Sequence, residues 1–544
     1  MDSETINKRD LEPVQYYEKK RWWLGLTIGD ILDRNADLYP DKEALVCNDL
    51  RYTYSELQDC CDRMAYGLLS EGLELGDRVM LQLPNWAEFI IAHYALQKAG
   101  LVMILLTVNH TAREIAHLAS LTEPKAWILP AKYRKQDFIG LVQKVKENVS
   151  TLDTIIIADE TEHNGCLRFN DLLEIESSRE VILNLLSQSR PDPNDVCYLL
   201  PTGGTTNLPK CAVRTHNDYL CNVEYTSRAW DINTTDVSLV GTTVGHNLAL
   251  LASISGPIFQ GGKIVLVDSS KPEDFCISIQ TEKITCASLV PTLISRLVSF
   301  EGLNQYDLSS LIKIYVGAAN SPPDLVKRVE ERFGCRYTNA FGMVEGPCSQ
   351  TRPQDPLDIR TETIGKPNCP YDDFQTLDIN GNKTPSGIEG ELAAKGPGIF
   401  TGYYRNAQTN QFAFTPDGYF RTGDLAVIDD KNRIRITGRS KEVIIRGGEN
   451  ISSRDVEDII SSHPSVEYVA AIGMPDDDLG EQVCVFIKPV GEAELTHDEI
   501  VMHMKQNDSP KSLIPWHTEF VTQLPLTAAG KVDKKVLRKI IKNT

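Results

Sequence analysis

No run of 18 apolar residues occurs anywhere in the 544-residue chain, so no membrane span is expected. The most apolar region, residues 248–267, is broken by Ser253, Ser255, Gly256, Pro257, Gln260, Gly261, Gly262 and Lys263. Positive charge is in deficit: 56 Lys and Arg stand against 75 Asp and Glu, a net charge of −19 at pH 7. Binders of nucleic acid or of anionic membranes need the opposite balance, so neither is expected, although a local basic pocket could still hold a nucleotide. The 13 cysteines are scattered without paired C-x-x-C motifs, which supports neither a zinc site nor a disulfide framework. They are expected to be reduced and to serve as small core hydrophobes. Residues 1–23 are charged and lack an apolar core, so they read as neither a signal peptide nor a transit sequence. A cytoplasmic location is expected from that absence of address signals. There is no short-period repeat, no low-complexity tract and no G-x-x-x-x-G-K-[ST] loop.

The length suggests three or four folding units, and 41% hydrophobic residues can fill large cores. Thr27 is placed to cap a helix that begins at Ile28. A strand is expected at 51–55, a helix from Ser55, a strand at 77–83, a helix at 89–99 and a strand at 101–107. Further strands are expected at 126–129, 154–158, 263–267, 287–289 and 313–316. Strands alternating with helices predict an α/β architecture with largely parallel sheets. After about residue 365 the strands become short and turns frequent, which predicts a small β-rich subdomain. Beyond Arg439, helices at 453–463 and 496–505 and strands at 468–472 and 483–489 predict an α+β tail able to fold on its own. The expected units are therefore a core over 1–438 and a small mobile domain over 439–544.

Six stretches could carry chemistry. Thr202, Gly203, Gly204, Thr205, Thr206, Asn207, Leu208, Pro209 and Lys210 follow the apolar run 196–200. Glycines let backbone N–H groups approach oxygens, threonine hydroxyls add donors, and Lys210 adds a point charge, so the stretch predicts a phosphate cradle. His246 and Asn247 precede an apolar wall at 248–254 and suit a flat organic ligand, although locally a satisfied core histidine reads better. Phe341, Gly342 and Glu345 close a strand, where an aromatic could stack a ring and a carboxylate could hold Mg²⁺. Asp424 follows an expected tight turn and could accept both hydroxyls of a ribose. Arg439 and Lys441 precede an apolar strand and a Gly-Gly turn, which reads as a hinge or a hairpin. Lys531 follows Gly530 in a loop.

Together and in this order, the stretches resemble the adenylate-forming superfamily over nearly the whole chain. The likeness is strongest to stand-alone aryl-acid adenylating enzymes and related aryl-CoA ligases, through the strings 203–206, 214–219, 246–247, 341–346 and 446–449. The resemblance implies ATP and Mg²⁺ as cofactors, with coenzyme A or a phosphopantetheine arm as acceptor thiol. It implies a small carboxylic acid as substrate, probed by His246, Asn247, Ala252, Gly317 and Gly342. Thr202, Gly203, Gly204, Thr205, Thr206 and Lys210 would hold the phosphates. Gly317, Ala318 and Phe341 would line the adenine. Glu345 would bind Mg²⁺, and Asp424 the ribose with help from Arg439. Lys441 would be the hinge, and Lys531 would bridge carboxylate and α-phosphate. No carrier domain is recognisable after Lys531, so a carrier, if used, is expected to be a separate protein. Two departures stand out: Asn207 replaces a usual Gly, and residues 248–252 offer few partners for ring hydroxyls. A sparsely hydroxylated aromatic acid is therefore expected, or else an alicyclic or medium-chain acid.

Overall fold

The computed structural model describes residues 11–542 apart from 160, 203–207, 320, 440–442, 447–448, 477–478, 492, 508 and 528–530. Short apolar runs make the strands of two large sheets. Val102–Leu105, Ala126–Leu129, Cys286–Leu289 and Lys313–Val316 are buried at every position. Burial on both faces is what parallel strands covered by helices require. Even Lys313 is inside, and its ammonium meets Asp236 Oδ2 at 2.8 Å.

The first sheet has nine strands, and its middle is a parallel series. That series runs Glu43–Cys47, Lys263–Leu266, Val237–Val240, Cys286–Leu289, Lys313–Val316 and Arg336–Gly342. The second has seven strands and is parallel except where Cys211–Thr215 pairs with Val196–Pro201. Helices are set by reciprocal caps at Thr27, Thr53, Thr111, Thr215 and Thr496, each worth about 1 kcal/mol. The helix expected from Ser55 begins at Tyr54 instead. Thr53 and Glu56 close the cap, while Gln58, which could have served Ser55, reaches Asp33 at 2.6 Å.

The expected β-rich piece is a four-stranded antiparallel sheet of Asp373–Leu377, Gly390–Lys395, Phe420–Ile428 and Ile434–Arg439. The C-terminal part is a five-stranded sheet with its own core. One face packs Val456, Ile460, Ile500 and Met504 against Val483 and Val485. The other takes Leu537 and Ile541 of helix Lys534–Lys542 against Ile472 and Phe486. Among the described residues, no helix is long and apolar enough to cross a membrane.

Candidate active site

A cleft of about 3020 Å³ receives residues from both large sheets, the antiparallel sheet and the C-terminal part. Its first contributors follow the carboxyl ends of strands, where open parallel sheets place ligands. Thr202 follows Val196–Pro201, Gly317 follows Lys313–Val316, and Glu345 follows Arg336–Gly342.

Thr202 N–H donates to the Lys210 carbonyl at 2.7 Å, and Lys210 N–H donates to Thr202 Oγ1 at 3.3 Å. These bonds hold Thr202 and Lys210 together; Gly203, Gly204, Thr205 and Thr206 lie outside the described residues. Lys210 Nζ sits 4.1 Å from the centroid of the Tyr403 ring, a cation–π contact. The Tyr403 hydroxyl donates to Glu345 Oε1 at 2.8 Å. Lysine, tyrosine and carboxylate thus form one unit at the cleft. Burial raises the Glu345 carboxyl pKa, and Tyr403, Lys210 and Arg214 oppose that rise. A lone buried carboxylate suits a hard cation that brings phosphate oxygens with it. Among the described residues, no cluster of three or more His, Cys, Asp or Glu could hold a metal unaided.

The turn bearing Glu345 is held by Arg214, which lies within the string 214–219, and by Asn222, which no sequence pattern marks. Arg214 donates to the carbonyls of Val344 at 2.9 Å and Gly398 at 3.0 Å. It also pairs through Nε with Asp218 Oδ1 at 2.6 Å, and both side chains are almost fully buried. Burial disfavours the Arg214 cation, but Asp218 more than offsets this and raises its pKa. Asn222 Nδ2 donates to Gly346 and Gly398 carbonyls at 3.0 and 2.9 Å. Gly346 has φ +113°, and a Cβ there would lie 2.2 Å from Gly398 O, so only glycine fits.

Asp424 and Arg439 are cross-strand partners, joined from Arg439 Nε to Asp424 Oδ1 at 2.7 Å. Asp424 is not behind a tight turn, as the sequence suggests, but inside strand Phe420–Ile428. The turn-like signal comes from Gly423 at φ +77° and a register shift just after Leu425. Gly317, Ala318, Phe341 and Gly342 line the same cleft. Ala318 has φ +71°, a strained backbone for a residue with a Cβ.

At the His246 end of the cleft, Gly245 packs so closely that a Cβ would meet Leu106 O at 2.2 Å, which fixes the approach to His246. Asn85, also missed in the sequence, holds this loop: Oδ1 accepts from Val244 N–H at 2.9 Å, and Nδ2 donates to Thr242 O at 3.2 Å. His246 Nδ1 accepts from Leu248 N–H at 3.1 Å, so the neutral ring carries its proton on Nε2. Burial, then Lys531 and then His110, depress the His246 pKa to about 4. Lys531 lines the same cleft as His246. Lys531 itself is anchored by Thr527 N–H donating to its carbonyl at 2.7 Å, and its N–H donates to Thr527 Oγ1 at 3.2 Å. Asn247 Oδ1 accepts from the Tyr219 hydroxyl at 2.9 Å. Residues Ala249–Ser255 form a π-helix, a form frequent at functional sites. Leu248, just before it, and Leu251 line the cleft, while Ala252 is 1% exposed and packs in a cluster with Trp230 and Ile232. Lys441 lies outside the described residues. The strands Ile444–Arg446 and Glu449–Ile451 that follow it pair antiparallel.

Comparison with known proteins matches residues 32–404 to the AMP-binding enzyme family and residues 455–531 to the AMP-binding enzyme C-terminal domain. The chain is 34% identical to a 2,3-dihydroxybenzoate-AMP ligase of Bacillus subtilis (strain 168), over 97% of this chain and 96% of the relative. It is 33% identical to a salicylyl-CoA synthase / salicylate adenylyltransferase of a Streptomyces species, over 98% and 96%. Among solved structures it is similar to apo MbtA of Mycobacterium smegmatis, with TM-score 0.73, 29% identity and 98% coverage of both chains. An anthranilate CoA ligase, AuaEII, solved with anthranoyl-AMP, shares the fold with TM-score 0.86 at 23% identity, over 96% of this chain and 98% of that one. The chain belongs to the AMP-binding enzyme family and is an adenylate-forming ligase.

Proposed function

We propose that this enzyme activates an aromatic carboxylic acid with ATP and passes the acyl group to a thiol. The observation that carries this reading is the convergence of Lys210, Glu345, Asp424, His246 and Lys531 on one cleft. In the first step a carboxylate oxygen attacks the α-phosphorus, and pyrophosphate leaves as the acyl–phosphate bond forms. Lys531, which lines the same cleft as His246, neutralises charge on the carboxylate and α-phosphate as that bond forms. Lys210 and the loop from Thr202 hold the β- and γ-phosphates. Asp424, oriented by Arg439, accepts the ribose hydroxyls, and Gly317, Ala318 and Phe341 flank the adenine. Bound Mg²⁺ would be held by Glu345 together with phosphate oxygens and would neutralise phosphate charge. In the second step a thiolate attacks the acyl carbon and AMP leaves. Rotation of residues 439–544 about Lys441 separates the steps by withdrawing Lys531. The thiol is that of coenzyme A or of a phosphopantetheine arm on a separate carrier protein.

The aliphatic side chains of Leu248 and Leu251 favour a second substrate class, an alicyclic or medium-chain acid. ATP–pyrophosphate exchange across benzoate-like, cyclohexane-like and straight-chain acids separates the two. Exchange confined to aromatic acids is expected, and exchange confined to the others would replace this reading. Adding coenzyme A to the productive mixture then tells a free thiol from a carried one.

A further inference from the structure

Tyr468 ties the C-terminal part to the first large sheet. It lies on strand Val466–Asp476, and its hydroxyl donates to the Thr292 carbonyl at 3.1 Å, 176 positions back in the chain. A carbonyl can only accept, so the phenol is the donor. Burial raises its pKa, and the hydroxyl therefore keeps its proton in the neutral range. Thr292 stands in the first turn of helix Pro291–Val298, which begins two residues after strand Cys286–Leu289 ends. Thr292, Ser295 and Arg296 of that helix line the cleft, as does Tyr468 itself. The ring is also held from its own sheet. Lys488, its cross-strand partner, places Nζ 5.7 Å from the ring centroid and is itself fixed by Glu467 at 2.6 Å. Strand residues alternate between faces, so Tyr468, Ala470 and Ile472 share one. Ala470 and Ile472 are buried in a cluster against which Val532 packs, and Val532 is next in the chain to Lys531. A short packed path therefore runs from the Thr292 contact to Lys531, which lines the cleft.

We propose that Tyr468 is a positioning residue that latches the C-terminal part where Lys531 enters the cleft. The latch sets the balance between acid activation and transfer to the thiol. This rests on the two-step reading above, in which residues 439–544 turn about Lys441 between the steps. That turn carries strand Val466–Asp476 away from the core helix, so the bond from Tyr468 to Thr292 breaks before transfer. One neutral hydrogen bond present in only one of two arrangements biases their populations about two- to tenfold. Tyr468 acts through the placement of Lys531, not on the reacting atoms.

The test compares the two half-reactions in the wild type and in Tyr468→Phe, which keeps the ring beside Lys488 and loses the hydroxyl. Activation is read as ATP–pyrophosphate exchange with the acid of the panel above that exchanges fastest. Transfer is read as thioester formation in a single turnover, from enzyme-bound acyl-AMP mixed with pantetheine, the arm common to both acceptor classes. The ratio of activation rate to transfer rate is expected to fall about two- to tenfold in Tyr468→Phe. Tyr468→Ala, which also removes the ring, should move the ratio the same way and at least as far. A merely structural role would slow both half-reactions alike and leave the ratio where it was. An unchanged or raised ratio in Tyr468→Phe would overturn the proposal. Exchange with no acid of the panel would instead remove the two-step reading, and the proposal with it.

Discussion

Replacing Arg214 with methionine should be among the most damaging single changes outside the reacting groups. The side chain is almost wholly buried, and its shape can be roughly kept, but four hydrogen bonds go. The largest loss is the 2.6 Å pair with Asp218. Asp218 retains Thr215 N–H at 3.0 Å and Thr215 Oγ1 at 2.8 Å, yet its charge loses the nearby cation. Removing one partner of a buried pair costs about 3–5 kcal/mol. The Gly398 carbonyl keeps Asn222, whereas the Val344 carbonyl loses its Arg214 donor, adding about 1–3 kcal/mol. The expected total is about 4–8 kcal/mol, comparable with the whole stability of a typical domain. Adding Asp218→Asn should recover about 2–3 kcal/mol, because it removes the orphaned charge and keeps an acceptor for Thr215. The assay is urea unfolding followed by fluorescence of the buried Trp127 and Trp230, with Arg214→Met, Asp218→Asn and the double variant compared on the same transition. Val344 adjoins Glu345, so any folded Arg214→Met should also show a raised KM for Mg-ATP. A loss below about 1 kcal/mol, or additivity within about 0.5 kcal/mol, would refute the reasoning.

Tyr403→Phe keeps the ring against Lys210 but removes the hydroxyl that stabilises ionised Glu345, so its carboxyl pKa should rise further. The acid limb of kcat/KM for Mg-ATP should move to higher pH, by roughly half a unit to one unit for one lost hydrogen bond, and an unmoved limb would contradict the role given to Tyr403. Burial pushes His93 and His216 down to about 3, and His246 to about 4, so all three stay neutral in the fold while the unfolded chain protonates near 6.5. The unfolded state then binds more protons below about pH 6.5, so stability rises with pH and falls on acidification, by about 1.4 kcal/mol per pH unit for each group. Urea midpoints between pH 7 and 5 should drop less steeply in His93→Gln than in the wild type, and parallel curves would contradict this.

What could be read from sequence followed the range of the interaction. Strands at 126–129 and 313–316 were legible to the residue because short apolar runs bounded by polar residues leave little choice. Thr27 and Thr496 were legible as helix starts because a cap is decided within four residues. The cap at Thr53 shows the limit, since Gln58 could have capped Ser55 had Asp33 not claimed it from 25 positions away. Asp424, which lines the cleft, was expected behind a turn rather than inside a strand, because a bulged strand and a turn share their glycine signal. Arg214 and Tyr403 act across 130 and 58 positions, and nothing local marks a strand arginine as the clamp of a distant turn. The π-helix at Ala249–Ser255 was hidden in an apolar run with no clear period, and with it the packing of Ala252 against Trp230 and Ile232.

The central claim is that Lys531, carried by the C-terminal part, completes an acid-activating site built on the two large sheets. The most direct test is ATP–pyrophosphate exchange with salicylate in the wild type and in Lys531→Ala, with ATP binding followed separately. The account predicts exchange in the wild type and a fall of about 10²–10³-fold in the variant, equivalent to about 3–4 kcal/mol, with ATP still bound. Exchange within about threefold of wild type in Lys531→Ala, well short of the loss expected for a charge-stabilising group, would contradict it.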